Sequence, residues 1–353
     1  PGVILQSNYD LIDFFGNKGI NCLKIGEMNK SFRKIKIEYD KKQIDFDIDF
    51  FRDIWFKTSS DLDNHQTKNY KAYERYKNYK NHVLDFKFPK SFSGNFNSTF
   101  SKNKLKAAII REKGSNSERE MAYAMQLVGF EVSDVHMTDL INGYSDLSEF
   151  NFIVAVGGFS NSDVLGSAKG WAGSFLYNKK AKKSLDNFFK KPNTLSLGVC
   201  NGCQLFVELG LITPELKNKP KMLHNESGKF ECTFTAVDIQ KSSSIFLKGL
   251  EGSRLGIWAA HGEGKFSLPG NKNKYQIPAT YYHDTYPANP NGSDHNAAML
   301  SSNNGRHLVM MPHLERSTFP WNWAFYPEDR KKDNITPWIK AFKNAYNWLL
   351  ENK

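Results

Sequence analysis

Cys200 stands in the string Gly198-Val199-Cys200-Asn201-Gly202, after an apolar run at 194–199 and before a helical pattern, Cys203-Gln204-Leu205-Phe206-Val207-Glu208. A thiol between two glycines at a strand-to-helix junction is the nucleophile-elbow pattern, with Cys in the position more often held by Ser. The glycines permit a sharp turn that lifts the side chain above the sheet, and the positive end of the helix favours the thiolate, the nucleophilic form. Cys200 and Cys203 also spell C-x-x-C. Zinc would need two further ligands, and the other cysteines, Cys22 and Cys232, form no second pair. No metal site is expected.

A nucleophilic thiol needs a base, and the base needs an orienting partner. The string His307-Leu308-Val309-Met310-Met311-Pro312-His313-Leu314-Glu315 provides both. Pro312 ends a strand, and in extended chain His313 and Glu315 project to the same side, so the carboxylate can hold the imidazole in one tautomer. Gly157-Gly158 follows a third apolar run at 152–156. Its free N–H groups, with that of Asn201, suit the oxyanion of a tetrahedral intermediate.

These residues need a scaffold that brings strand ends together. From Lys106 onward, continuous apolar runs alternate with amphipathic helical patterns, which predicts βαβ units in an α/β fold: a doubly wound, mostly parallel sheet with both faces covered. Ligands in such sheets sit beyond the carboxyl ends of the strands, where Cys200, His313 and Gly158 all fall. The chain has 353 residues, enough for two domains. Residues 1–56 read as a small α+β piece, with strand-like runs at 2–6, 22–25, 34–39 and 44–48 and a short helix after Asp10. That piece lacks the mass for its own core, and the opening at Pro1 suggests the end of a longer domain. Residues 57–104 are a Lys-, Asn- and Tyr-rich linker, in which Tyr70, Tyr73, Tyr76 and Tyr79 alternate with basic residues. The plain reading is a short helix laying its tyrosines on a neighbour. A basic aromatic stripe that binds single-stranded nucleic acid is the other reading. Residues 105–353 form the α/β domain.

Composition narrows the classes. With 40% hydrophobic and 24% charged residues, the chain is of the globular type. No apolar run approaches the ~20 residues of a membrane-spanning helix, so no membrane partner is expected. Four cysteines are too few for a disulfide scaffold, and a reducing, cytoplasmic setting is expected. The net charge of +11 favours polyanions only weakly, because lysine is spread throughout. Nucleic acid is not the expected partner.

From residue 106 to the end the chain resembles the class I (triad) glutamine amidotransferases, and among them those fused behind an ATP-dependent synthetase of purine biosynthesis. The resemblance rests on the Cys200 string and on Gly157-Gly158-Phe159-Ser160 with Asp163-Val164-Leu165-Gly166. It rests also on Val135-His136-Met137-Thr138-Asp139-Leu140, His261-Gly262-Glu263-Gly264 and Tyr286-Pro287-Ala288-Asn289-Pro290-Asn291-Gly292-Ser293. In residues 1–56, Ile25-Gly26-Glu27 is similar to the end of the synthetase region. The resemblance implies a flavodoxin-like fold and a Cys200–His313–Glu315 triad that hydrolyses glutamine through a thioester. Gly158 and Asn201 would serve the oxyanion. Gln204, Asn225, Ser227, Phe230 and Glu231 would bind substrate, and His261 would line an interface or the ammonia route. Ammonia would pass to the upstream synthetase region of the same polypeptide, where ATP and magnesium act; residues 1–353 would need no cofactor. Two positions depart from the family pattern. Leu314 replaces the usual Pro between the triad His and Glu, and Asn161-Ser162 replaces Tyr-Gly. Other readings are a stand-alone Cys-His-Glu γ-glutamyl hydrolase and a module inactive without its partner.

Overall fold

The computed structural model describes residues 2–97 and 105–352. They divide into two compact units, Pro1–Ser59 and Ser60–Lys353. The expected linker is split by this boundary: residues 57–59 fall in the first unit and 60–97 in the second, while 98–104 lie outside the described residues.

In the first unit α1 (Ile12–Gly16) begins where the Asp10 carboxylate accepts the Ile12 N–H at 2.9 Å. Strand β1 (Lys34–Tyr39) pairs antiparallel with β2 (Lys42–Asp47). The two residues between them, Asp40 and Lys41, take the positive φ that a two-residue hairpin turn demands. Helix α2 (Ile48–Gln66) extends across the unit boundary, and the sequence pattern did not disclose it. The runs at 2–6 and 22–25 are not strands. None of the described residues in this unit is buried.

After the end of α2, the second unit continues with α3 (Lys71–Asn78), which carries Tyr73 and Tyr76 of the tyrosine repeat, with Tyr70 and Tyr79 flanking it. The buried residue of this helix is Ala72, and Tyr70 and Tyr73 face solvent. Tyr76 and Tyr79 are half-buried, and lysine, arginine and asparagine side chains add bonds to the domain. Next come β3 (Leu105–Arg111), α4 (Glu118–Leu127), β4 (Phe130–His136), α5 (Met137–Asn142) and β5 (Phe152–Ala155). Helices α6 (Lys169–Leu176) and α7 (Lys179–Lys190) precede β6 (Leu195–Val199) and α8 (Asn201–Glu208). Strands β7 (Lys221–Leu223), β8 (Glu231–Ile239), β9 (Arg254–His261), β10 (Lys265–Ser267), β11 (Gln276–Tyr281), β12 (Ala297–Ser301) and β13 (His307–Met310) lead to the final helix, α9 (Ile339–Glu351).

Nine strands form one sheet in the order β4-β3-β5-β6-β13-β12-β11-β8-β9, while β7 and β10 pair separately. The first five run parallel, as the apolar runs predict, and β5, β6 and β13 are buried along their whole length. From β13 outward every pairing is antiparallel. Helices α4 and α9 pack together against β3, whereas α8 lies on β5, β6 and β13 with α6 and α7 behind it. The α/β expectation is borne out. Adjacent parallel strands β5, β6 and β13 release their chain ends side by side, at residues 156, 200 and 311.

Candidate active site

Cys200 links β6 to α8 with φ of 52° and ψ of −109°, a left-handed backbone that a side-chain-bearing residue adopts only under constraint. The constraint is visible in its flanking glycines. A Cβ on Gly198 would meet the Gly202 carbonyl oxygen at 2.6 Å, and one on Gly202 would meet that of Ala155 at 2.0 Å. The chain folds back on itself with no room for side chains, and the Cys200 N–H is anchored on the Met310 carbonyl (2.8 Å) at the end of β13. The thiol donates to the Ala260 carbonyl at 3.5 Å.

The base arrives from β13. The His313 N–H bonds the Trp258 carbonyl (2.8 Å), and its Nδ1 lies 2.6 Å from Oε1 of Glu315, with both side chains buried. Gly157 sits against both reacting groups: a Cβ there would stand 2.8 Å from His313 Cε1 and 3.4 Å from the Cys200 Cβ. His313 Nε2 has no hydrogen-bond partner among the described residues. Burial alone would push the imidazole down. The Glu315 carboxylate and Cys200 overcome that and raise it to about 9. Burial would raise Glu315, and the imidazolium outweighs it, so the carboxyl stays ionised below its usual range. Cys203 is fully buried, and desolvation pushes its thiol well up.

Opposite the thiol, Gly158 forms a bridge with Ser115 whose two bonds belong to the neighbours: Asn116 N–H to Gly157 (2.8 Å) and Phe159 N–H to Gly114 (2.8 Å). The Gly158 N–H therefore points away from that bridge. With φ of 123° and a Cβ that would fall 2.4 Å from the Gly114 oxygen, the position admits only glycine. Asn201, first in α8, has an N–H with no intrahelical acceptor. Its side chain fastens the turn, accepting from the Ser160 N–H (3.0 Å) and donating to Asp163 (3.1 Å) and Gln204 Oε1 (2.8 Å).

Several expected substrate-binding residues are engaged within the chain. Gln204 accepts from Asn201 and donates to the Glu263 carbonyl (2.7 Å). Asn225 donates to the carbonyls of His261 (2.7 Å) and Lys229 (3.0 Å) and accepts from the Gly264 N–H (2.9 Å). The buried Ser227 hydroxyl has no partner among the described residues. Phe230 is half exposed, its ring 5.9 Å from that of Phe159. Glu231 is buried, with Tyr286 Oη and Arg75 Nη2 each 2.9 Å from its carboxylate. His261 is buried as well; desolvation and the nearby His313 push it down to about 3, so it is neutral. Its Nε2 faces Asn291 Nδ2 at 3.4 Å.

Arg75 counts in the sequence only as one of the basic residues between the tyrosines of the linker, and its bond to Glu231 and the bonds of Glu263 and Asp163 are not foreseen there. Glu263 accepts from Ser167 Oγ (2.6 Å), and Asp163 from the Ala168 N–H (3.2 Å). Both carboxylates lie in glycine-containing strings already singled out, which was the available signal. Among the described residues no group of three His, Cys, Asp or Glu side chains is placed to hold a metal.

Residues 104–349 match the family model of the CobB/CobQ-like glutamine amidotransferase domain. The chain is 43% identical over 325 residues, 85% of its length, to a probable phosphoribosylformylglycinamidine synthase, chloroplastic/mitochondrial, of Arabidopsis thaliana. It is 37% identical across 99% of its length to the probable Caenorhabditis elegans enzyme of that name, and 34% identical, again across 99%, to the Homo sapiens one. It spans 23% of the Arabidopsis protein and 29% of each of the other two. A solved structure of PurLQS from Thermotoga maritima superposes with a TM-score of 0.52 at 24% identity, covering 71% of this chain and 99% of that one, a likeness of fold.

Proposed function

The chain belongs to the CobB/CobQ-like glutamine amidotransferase family, and from that membership we propose that it is the glutaminase part of a phosphoribosylformylglycinamidine synthase. The Cys200 thiolate attacks the carboxamide carbon of glutamine, forming a C–S bond. The oxyanion that develops lies between the N–H groups of Gly158 and Asn201. The His313 imidazolium, held by Glu315, gives its proton to the departing nitrogen, and ammonia leaves. His313, now neutral, takes a proton from water as it attacks the thioester carbonyl, and glutamate is released with the thiolate restored. The Asn225–Glu231 loop and Phe230 border the glutamine, with Gln204 and Asn225 holding that wall in shape through their bonds to Glu263 and His261. His261, neutral and buried beside His313, lines the path on which ammonia leaves.

In the whole protein the ammonia passes to an upstream synthetase region, where ATP and magnesium support the conversion of formylglycinamide ribonucleotide to its amidine, a step of purine biosynthesis. The four free thiols favour a reducing, cytoplasmic location. No helix among the described residues is long and apolar enough to cross a membrane.

The observation that carries this reading is the strained elbow at Cys200 beside the 2.6 Å His313–Glu315 pair. A glutamine-analogue electrophile, followed by mass spectrometry, tests it: the adduct is expected on Cys200, and labelling of Cys203 or Cys232 overturns it. Cys200→Ser is expected to bind glutamine and release no ammonia.

A further inference from the structure

Residues between Asp63 and Arg75 bond to Glu226, Ser227, Lys229 and Glu231 of the 225–231 loop. The Lys68 N–H bonds the Ser227 carbonyl (2.7 Å), Asn69 Nδ2 bonds that of Glu226 (2.7 Å), and Lys71 pairs with the Glu226 carboxylate (3.3 Å). Asp63 pairs with Lys229. Arg75 reaches furthest in: one arm of its guanidinium is 3.0 Å from Asp63, the other 2.9 Å from the buried Glu231 carboxylate, and its plane lies 4.9 Å from the centre of the Tyr286 ring. Asn78 adds a bond to the Tyr286 carbonyl (2.9 Å), and Tyr286 Oη donates to Glu231.

What this network grips is one wall of the candidate active site. Glu231 is the register partner of His261 between β8 and β9, and the carbonyl of the adjacent Ala260 accepts from the Cys200 thiol. Asn225, at the other end of the loop, fastens the His261 carbonyl and the Gly264 N–H. Arg75 is the cation paired with Glu231, and removing it leaves a desolvated carboxylate that draws in water and moves the strand end.

We propose that α3 is a working part of the glutaminase, in which Arg75 is a positioning residue that sets the glutamine-binding wall through Glu231. The inference rests on the reading of Cys200 as the glutaminase nucleophile. Steady-state glutaminase assays on the full chain test it, with electrophile labelling of Cys200 as a separate control. Failure of the parent protein to label at Cys200 sinks that reading rather than the role of Arg75. With labelling intact, Arg75→Ala is expected to raise KM for glutamine about tenfold while kcat stays within about threefold. Glu231→Gln is expected to produce a similar rise, and the double variant to be no worse than the more affected single, because both act through one bond. Arg75→Lys, which keeps the charge and loses the fork, is expected to fall between. Unchanged KM in a folded Arg75→Ala protein overturns the proposal, as do additive effects in the double variant. Should Arg75→Ala fail to fold, unchanged KM in Arg75→Lys does the same.

Discussion

At the scale of residues, His313 carries two opposing influences, burial on one side and its neighbours Glu315 and Cys200 on the other, and the neighbours prevail. Glu315→Gln presents an amide to Nδ1 and stabilises the wrong tautomer, so kcat is expected to fall about 10²- to 10⁴-fold with KM little changed, measured by ammonia release. The same pair sets a pH window. His313 holds its proton more tightly folded, at about 9, than at the usual 6.5, so its contribution to stability is complete below 6.5 and disappears as pH climbs through about 9. His261 and His307 behave oppositely. Burial pushes each to about 3, so their contribution is present above 6.5 and is lost as pH falls toward 3. Denaturant titrations from pH 4 to 10 are expected to show both flanks, with the acid flank shallower in His307→Gln and the alkaline flank shallower in Glu315→Gln. Parent and variants losing stability in parallel would refute this assignment.

At the scale of elements, the turn after β5 stores strain. Asn161, Ser162 and Asp163 all have φ between 45° and 57°, so the two residues that depart from the family pattern sit in left-handed backbone. Ser162→Gly is expected to stabilise the protein by up to about 1 kcal/mol, measurable by denaturation, since glycine carries no steric penalty there. Gly202→Ala is expected to cost at least about 3 kcal/mol, because the Ala155 carbonyl occupies the space its methyl needs. The other departure is benign for a visible reason: Leu314 has φ of −69°, the value proline would impose, and its side chain is buried in the core. The elbow and the His313–Glu315 pair were legible because short-range spacing determines both. Of the five parallel strands, β3, β5 and β13 were legible as apolar runs, while Ser196 interrupts β6 and Glu131, Ser133 and Asp134 interrupt the edge strand β4. The antiparallel strands β8 to β12 were not: Thr233, Thr235 and Asp238 interrupt the apolar pattern of β8, and pairing partners lie tens of residues away. Arg75 was least legible of all, since its partner Glu231 lies 156 positions later and no local signal joins them.

At the scale of the molecule, the described chain spans about a quarter of its curated relatives. If ammonia release is gated by the upstream synthetase region, a longer protein that includes that region is expected to hydrolyse glutamine at least about tenfold faster when its other substrates are bound. Equal turnover by the chain alone would count against such gating. The two units also differ in what secures them. Sheet, helices and site belong to Ser60–Lys353, whereas Pro1–Ser59 shows Val3, Ile4, Leu23, Ile25 and Trp55 to solvent and buries none of its described residues. Backbone amides before Ser59 should then trade hydrogen for deuterium within seconds to minutes while those of β5 and β6 resist for hours, and a trace of protease should shave the leading segment long before it touches the unit that holds Cys200.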